Sequence, residues 1–402
     1  MKRFLSLCLL VAAVSAAMAN DGTYYVSGNQ LVPLKETDIA ITKEILTINI
    51  GDDSFANVDV YYEMMNRGPA KTVDMGFEAD MSYNSGDAFS PQGIHPCIKD
   101  FTVTFNGTRL QHSNAVVIAS DDENPSNFKP VDLRRWHIAT SGDFTWNDGN
   151  SRLVDNQGNE LQIAYAYTFK ANFKAGKNIV HHTYRYKMSN GVFRAFEIPY
   201  KLTPATRWAN HGIDDFTLRI DAKNTAKYFY IANGDKYAPE SFKVTEGKGK
   251  VRMKSETVAG TIVEVTLRNG TVEWHAKNFR PKHELYIGSM DGILSNEEDW
   301  EIGDFYDRSG FFPRADIDYR RVYGRAARNK EEKRELVGRI LRNLPYADRG
   351  YVFNDENLRK YFNSKWWYMP DPNWKMSTDD FTENDWRVIN ELSKNVILTD
   401  EY

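Results

Sequence analysis

The residue patterns that usually mark an active site are scarce in this 402-residue chain. Segment 288–292 has its serine at the second position, whereas the nucleophile elbow of a hydrolase needs serine at the third. The sequence contains neither the histidine spacing of a metalloprotease helix nor a phosphate-binding loop. Glu197, Asp214 and Asp215 could still contribute a pair of acids, because glycosidase carboxylates meet only in the folded chain. The sequence therefore assigns no catalytic residue and leaves the question of enzyme activity open.

Two groups of possible metal ligands fail on geometry. His181 and His182 are adjacent in a predicted strand, where successive side chains point to opposite faces, so they cannot share one metal ion. Segments 143–150 and 155–160 are rich in carboxylate and amide oxygens, which calcium accepts, but their spacing is not that of a calcium loop. Turn formation explains both segments. We therefore predict no metal ion and no cofactor.

A long polar segment, residues 120–158, is a candidate for ligand recognition. It is rich in Asp, Asn and Pro, and it carries Trp136, Phe144 and Trp146. Loops of this kind can bind ligands while the sheets keep their shape, and exposed rings could stack on a glycan. The alternative is that the rings fix the loop to its own sheet. We favour this alternative because large aromatic side chains usually bury their area.

A basic stripe between residues 320 and 342 is a second candidate surface. It holds nine basic residues against three glutamates. The basic residues are Arg320, Arg321, Arg325, Arg328, Lys330, Lys333, Arg334, Arg339 and Arg342. Such a stripe could bind anionic envelope polymers or lipid head groups, with Arg320, Arg321 and Arg325 as the leading contacts. A solvated helix face is the competing interpretation.

Alternation of apolar and polar residues predicts strands between residue 24 and about residue 287. The apolar positions include Val58, Val60, Tyr62, Val180, Tyr184, Val263 and Val265. Two stretches end in Asn-Gly, at 106–107 and 269–270, and this pair favours tight hairpins because it accepts positive φ angles. We therefore predict an antiparallel β-sandwich over residues 20–300, built as one lobe or two.

The C-terminal part changes to helical periodicity. After a predicted linker over 301–329, an apolar stripe with a spacing of three and four residues predicts a helix from residue 330, which Pro345 should end. A second short helix is predicted around Leu358. A third should begin at Thr382, with Phe381 and Trp386 forming a hydrophobic staple. Residues 330–402 are thus predicted to form a small helical domain.

The N-terminus has the features of a signal peptide over residues 1–19. Lys2 and Arg3 precede a short apolar run, and small residues at 17 and 19 predict cleavage before Asn20. No stretch is long and apolar enough for a transmembrane helix. Cleavage leaves Cys97 as the single cysteine, so an internal disulfide is excluded and a buried thiol is predicted. A net charge of −4 argues against nucleic-acid binding.

The order of residues in the C-terminal region resembles the YARHG domain, an extracytoplasmic bacterial module of unknown molecular role. The matching positions are Arg342, Asn343, Tyr346, Ala347, Gly350, Tyr351, Phe353, Leu358, Tyr361, Phe362, Trp367, Tyr368 and Pro370. The chain departs from the pattern at two positions, with Asp348 in place of the family's arginine and Arg349 in place of its histidine. The matched residues are interpreted as structural, with Gly350 at a positive φ angle and Asn343 bonding free backbone groups at the helix end.

Residues 24–33 and 36–39 resemble exported β domains found beside this module. Together these features predict an exported bacterial envelope protein, with the periplasm favoured over the cell surface or the exterior. Its predicted role is a non-enzymatic scaffold or binding module whose helical end docks to an envelope protein or a cell-wall polymer. The alternative is a hydrolase of envelope glycan or peptide. The sequence does not determine the oligomeric state.

Overall fold

The computed structural model describes most of the chain after the predicted signal peptide. The residues it describes are 19–27, 30–34, 36–51, 55–80, 94–95, 97–118, 137–138, 153–154, 156–157, 160–161, 163–191, 194–222, 226–232, 241–257, 260–289, 319–381 and 383–396. Residues 1–18 and most of the predicted linker lie outside these ranges. The signal peptide and the domain boundaries therefore remain predictions.

Twenty strands occur in the described part between residues 19 and 289. They are β1 (Ala19–Ser27), β2 (Gln30–Leu34), β3 (Ile39–Ile50), β4 (Phe55–Asn66), β5 (Lys71–Asp80), β6 (Ile98–Phe105), β7 (Thr108–Arg109), β8 (Ser113–Ile118), β9 (His137–Ile138) and β10 (Leu153–Val154). The remaining strands are β11 (Glu160–Leu161), β12 (Ile163–Phe173), β13 (Gly176–Lys187), β14 (Ser189–Gly191), β15 (Arg194–Tyr200), β16 (Ile213–Asp221), β17 (Ala226–Ala232), β18 (Phe242–Thr257), β19 (Gly260–Phe279) and β20 (Leu285–Ser289).

The strands form two large layers and one small sheet. Strands β1, β2, β8, β12 and β5 close into a ring, and the short strands β9, β10 and β11 form a separate sheet. The larger layer has the order β14-β15-β20-β17-β19-β16-β3-β4-β13-β6-β7, with β18 added to β19. Most neighbours are antiparallel, but β3 pairs with β16, and β2 with β8, in parallel. The predicted mainly β region is confirmed, and its large sheet is mixed.

One apolar core joins the two large layers. Phe77 of β5 contacts Phe101 of β6 at 5.1 Å between ring centroids and Tyr184 of β13 at 5.0 Å. Alternate residues of β13 point into this core, as the sequence periodicity predicts. Cys97 is also buried, as expected, and only 3% of it is exposed. Burial of an aromatic side chain in such a core contributes on the order of 2 kcal/mol.

The two Asn-Gly pairs have different roles in the fold. Asn106-Gly107 forms the predicted tight turn between β6 and β7. The prediction of a second hairpin at Asn269-Gly270 is wrong, because both residues lie inside the 20-residue strand β19. They oppose Gly247 of β18 at a bulge, where Asn269 has a φ of 48°. A positive φ angle occurs both in turns and in bulges. Here a bulge forms, because β19 stays paired with its neighbouring strands on both sides.

Four α-helices follow the β region in the described ranges. They are α1 (Tyr319–Tyr323), α2 (Lys330–Asp348), α3 (Glu356–Asn363) and α4 (Glu383–Arg387), and α4 continues into a π-helical turn (Val388–Leu392). The predicted helical C-terminal region is confirmed. Helix α2 begins at an N-cap, since the side chain of Asn329 accepts a 2.9 Å hydrogen bond from the Glu332 amide. No described helix is long and apolar enough to cross a membrane.

The prediction that Pro345 ends the first long helix is wrong. Helix α2 continues through Pro345 to Asp348, and Gly350 follows with a φ of 84°. A proline removes one backbone donor from the helix interior. Burial of Leu344 and Ala347 on either side of it keeps the last turn in place. Thr382 lies outside the described residues, but the predicted staple partners Phe381 and Trp386 pack at 5.1 Å.

Candidate functional site

A polar face on the β18–β19 hairpin positions the candidate site. Three residues of β18 stand directly opposite three residues of β19, and alternation places all six side chains on one side of the hairpin. The opposed pairs are Lys248 with Arg268, Lys250 with Thr266, and Arg252 with Glu264. We call these six residues the polar face. The other side of β19 carries Val263, Val265 and Leu267 into the core.

The polar face binds the main chain of residues 366–371, which we call the motif segment. Lys250 is central, because its Nζ donates to the carbonyl oxygens of Trp366 at 2.8 Å and Tyr368 at 2.9 Å. Hydrogen bonds from a charged donor are shorter and stronger than neutral ones. Burial, and secondarily the charge of Arg252, lowers the pKa of Lys250.

The β19 half of the polar face binds the next carbonyl groups. Arg268 Nη1 donates to the Met369 carbonyl oxygen at 2.8 Å. Thr266 Oγ1 lies 3.5 Å from the Trp367 carbonyl oxygen. Four successive carbonyl groups of the motif segment thus face donors from the hairpin. These contacts involve main-chain atoms, so they fix the path of the segment independently of its side chains.

A buried carboxylate anchors the far end of the polar face. Glu264 is fully buried, and it accepts hydrogen bonds from Tyr228 and from Arg252, whose Nη2 lies 3.1 Å from Oε1. The guanidinium of Arg252 lies 4.3 Å from the ring centroid of Trp366, a distance typical of a cation–π contact. Burial disfavours the charge of Arg252, but the hydrogen bonds and negative charge of Glu264 outweigh it and raise the pKa of Arg252.

Asp371 closes the other end of the contact. Its Oδ2 lies 2.6 Å from Lys248 Nζ and 3.8 Å from Arg268 Nη2. The hydrogen bond from Lys248 holds the pKa of Asp371 below its ordinary value. Lys248 and Arg268 are like charges on opposed strand positions, so Asp371 also relieves a repulsion within the hairpin.

Gly350 makes room for this contact. A Cβ atom at this position would lie 2.0 Å from Arg268 Nη1 and 2.6 Å from the Met369 carbonyl oxygen. Its φ of 84° also favours glycine. The carbonyl oxygen of Gly350 accepts a 2.7 Å hydrogen bond from the Asp371 amide. The glycine predicted from helix termination is therefore also required by the close approach of Arg268.

An open cleft of about 460 Å³ lies between β18 and the motif segment. Its lining includes Val244, Lys248, Lys250, Tyr368, Met369 and Pro370. The Tyr368 hydroxyl donates to the Tyr351 carbonyl oxygen at 2.5 Å, which fixes the orientation of the ring. The hairpin thus lines the cleft with two lysines and Val244, and the motif segment lines it with Tyr368, Met369 and Pro370.

The family model of the YARHG domain matches residues 318–396. Residues 318–396 form a YARHG domain. The match includes α1, which lies in the predicted linker, and Tyr319 of α1 is buried in the same cluster as the later helices. A β-rich domain precedes the YARHG domain. No match was found among curated proteins.

Solved structures that resemble the chain share little sequence with it. A "putative nutrient binding protein" from Legionella pneumophila is 16% identical over 94% of this chain and 99% of that protein, with a TM-score of 0.45. An M1 zinc metallopeptidase from Deinococcus radiodurans is 10% identical over 64% of this chain and 43% of that one, with a TM-score of 0.23. A "putative protease" from Parabacteroides distasonis is 9% identical over 76% and 50%, with a TM-score of 0.22. TM-scores of this size carry no functional argument.

In the YARHG domain of this chain, Arg349 occupies the family's histidine position as a buried residue. Its Nη1 donates to the Pro345 carbonyl oxygen at 2.9 Å, and its Nη2 donates to Asp385 at 2.5 Å. The guanidinium also lies 4.3 Å from the ring centroid of Phe381. Arg349 therefore connects the end of α2 to α4, and its role is structural.

The remaining YARHG motif residues divide between the core and the surface. The buried members are Ala347, Gly350, Phe353, Leu358, Phe362, Trp367 and Tyr368. The half-buried members are Asn343, Tyr346, Tyr351 and Tyr361. Arg342 and Pro370 are exposed. Asn343 does not reach the helix end as expected: its side chain donates to the Arg339 carbonyl oxygen at 2.7 Å, within α2.

Most of the binding residues predicted from sequence lie outside the part of the chain that the structure describes, so they stay predictions. Trp136, Phe144 and Trp146 lie outside the described residues, and so does the side chain of Arg321. Arg320 is exposed on α1. Arg325 binds Glu332 at 2.9 Å, and hydrogen bonds from Arg328, together with Arg325, lower the pKa of Glu332 to about 2. Part of the predicted basic stripe is thus neutralised by Glu332.

The acidic and histidine residues considered for chemistry are separated. His182 is buried, whereas His181 lies on the other face and bonds to Asp59 at 2.9 Å, as strand alternation predicts. Glu197 is buried, and Asp214 accepts a 2.9 Å hydrogen bond from Asn210. Within the described ranges, no group of three His, Cys, Asp or Glu side chains is arranged to hold a metal ion.

The sequence interpretation missed the polar face. Lys248, Lys250 and Arg252 stand at alternate positions of β18, a spacing that marks one face of a strand. That signal indicates a basic strand face but not its partner. The partner carbonyl groups lie more than 100 residues away in the chain, and a main-chain acceptor leaves no pattern in the sequence.

Proposed function

We propose that the chain is a non-enzymatic exported protein of the bacterial envelope, whose β domain holds the YARHG domain in a fixed position for docking to a partner. One observation carries the proposal: the polar face binds four successive carbonyl groups and one carboxylate of the motif segment. Directional contacts of this kind define orientation as well as attachment. A scaffold that presents another domain needs such an attachment.

The charge distribution supports an anionic partner. Residues 318–396 contain 16 basic and 13 acidic residues, a net charge of +3, whereas the whole chain carries −4. Arg342 of α2 and Arg359 of α3 are exposed, and neither side chain has a hydrogen bond or ion pair with another described residue. Exposed guanidinium groups are suited to carboxylate and phosphate groups. A cell-wall polymer or an acidic envelope protein has this chemistry.

Three buried carboxylates, each bound by an arginine, support binding rather than catalysis. Glu264 is engaged by Arg252 and Tyr228, Asp385 by Arg349 at 2.5 Å, and Glu78 by Arg207 at 2.5 Å. A catalytic acid or base must reach a substrate. The cleft beside the polar face is lined instead by lysines and apolar residues. The proposed location in the envelope, with the periplasm favoured, rests on the predicted signal peptide and the YARHG domain.

The test is co-sedimentation of the mature chain, from Asn20, with insoluble peptidoglycan, together with capture of envelope proteins. Arg342→Glu/Arg359→Glu should reduce binding about tenfold or more, because it reverses two exposed charges. Lys282→Glu is the control, because it reverses the charge of an exposed side chain outside the YARHG domain. Equal midpoints of thermal unfolding would show that all three proteins are folded. Binding unaffected by the double reversal, or turnover of the polymer, would contradict the proposal.

A further inference from the structure

We propose that the cleft between β18 and the motif segment binds the carboxylate of a small ligand that has an apolar body. This inference rests on the proposed binding function and adds a second site with a stated ligand class. It is distinct from the exposed arginines, so either site can fail without the other.

The described contacts of Lys250 leave one of its hydrogen-bond donors unused. An ammonium group has three donors, and Lys250 uses two of them on the carbonyl groups of Trp366 and Tyr368. Its described contacts include no carboxylate, whereas the neighbouring Lys248 is paired with Asp371 at 2.6 Å. The described partners of the Lys250 ammonium group are thus carbonyl groups. Its third hydrogen-bond donor stays available on the wall of the open cleft.

The charge around the cleft is positive. The polar face and the motif segment together contribute four cations and two carboxylates, and the carboxylate of Asp348 also acts on Arg268, which leaves a net charge of +1. The cations are Lys248, Lys250, Arg252 and Arg268, and the carboxylates are Glu264 and Asp371. A bound anion would offset this excess and would reverse the lowering of the Lys250 pKa.

The size and the lining of the cleft suit a small ligand with an apolar body. Its volume of about 460 Å³ lies within the range of small-molecule sites, roughly 300–1,000 Å³. Val244, Met369 and Pro370 give it an apolar wall, and the ring of Tyr368 is fixed by its hydroxyl group. Inorganic phosphate satisfies the charge but leaves this wall uncovered. An aromatic or aliphatic carboxylate satisfies both, and benzoate is a suitable probe.

The decisive measurement is the pKa of Lys250 in the full mature chain, followed by NMR of ¹³C-labelled lysine side chains at constant ionic strength. Lys250→Arg identifies the resonance and keeps the positive charge. Saturating benzoate should raise the Lys250 pKa, because an adjacent anion favours the charged form. Acetate and inorganic phosphate should raise it less at equal concentration. Lys243, an exposed lysine of the same strand, is the internal control and should not respond.

Affinity provides the second readout. Lys250→Gln should weaken benzoate binding about tenfold, whereas Lys243→Gln should leave it unchanged. No benzoate-dependent change at Lys250 would overturn the inference, and so would equal responses to benzoate, acetate and phosphate, which would indicate an adventitious ion only. Peptidoglycan binding through Arg342 and Arg359 does not depend on this result. If the mature chain binds the polymer but not benzoate, the proposed carboxylate site in the cleft is ruled out and the proposed function stands.

Discussion

Two interfaces in this molecule are built from opposite chemistry. The two large β layers meet through aromatic and aliphatic side chains such as Phe77, Phe101 and Tyr184. The β18–β19 hairpin and the YARHG domain meet through Lys250, Arg268 and main-chain carbonyl groups. The first interface buries apolar area, which stabilises without direction. The second depends on hydrogen-bond geometry and sets orientation.

The two interfaces therefore have different roles: the apolar core stabilises the β region, and the polar face positions the YARHG domain. Apolar burial between the layers provides most of the free energy of folding, and its loss should destabilise the whole β region. A hydrogen bond to a charged group contributes about 1.5–3 kcal/mol, so the polar face should hold the YARHG domain without controlling the fold of either part.

Phe77→Ala should lower the free energy of unfolding by about 3–5 kcal/mol, because it removes a fully buried ring from the centre of the core. Denaturant unfolding measures the change. Met376→Ala, at an exposed position in the YARHG domain, is the control and should have little effect. If Phe77→Ala lost no more stability than the control, the apolar core would not be the main source of stability.

Arg349→Met should also destabilise the protein by about 3–5 kcal/mol, because it leaves the carboxylate of Asp385 buried without this partner. This change tests a buried polar contact inside the YARHG domain. Arg349→Met/Asp385→Leu removes both charges and should recover most of the loss, as measured by thermal unfolding. Additive losses in the double variant would show that the pair does not act as a unit.

Gly350→Ala and Gly107→Ala form a matched pair. Both glycines have similar φ angles, 84° and 82°, but a Cβ atom meets nothing within 4 Å at Gly107 and lies 2.0 Å from Arg268 at Gly350. Gly107→Ala should cost about 1–2 kcal/mol for the backbone conformation alone. Gly350→Ala should cost more, and should also increase hydrogen exchange in the motif segment. Equal effects at the two positions would exclude a role for the Arg268 contact.

Acid should loosen the polar interface before it affects the core. The pKa of Asp371 is lowered in the folded chain, so the folded state binds this proton less readily than the unfolded state. The stabilisation is therefore complete above the ordinary value of 3.8 and is lost as pH falls through the lower folded value. Hydrogen exchange of the motif segment should increase in this range.

Asp371→Asn should remove that pH dependence, since the amide cannot titrate. Glu356→Gln, at an exposed position of α3, is the control and should retain it. If hydrogen exchange of the motif segment in Asp371→Asn still increased at low pH, another titrating group would be responsible.

Local sequence patterns were sufficient for much of the fold. Alternation at Val180, His182 and Tyr184 predicts the buried side of β13, and Gly350 has the positive φ angle expected after a helix. These features depend on residues close in the chain. Asn269-Gly270 and Pro345 show the limit, because their local preference permits several structures. Neighbouring strands make the first a bulge, and buried packing carries α2 past the second.

The candidate site was beyond prediction for a related reason. The alternation of Lys248, Lys250 and Arg252 indicates a basic strand face, but Lys250 binds carbonyl groups 116 and 118 residues away. Every residue has a carbonyl group, so no residue type marks an acceptor of this kind. The mainly β region, the helical C-terminal region and the resemblance to the YARHG family follow from residue patterns alone. How the two parts meet depends on the folded structure, because that contact joins side chains of one part to the main chain of the other.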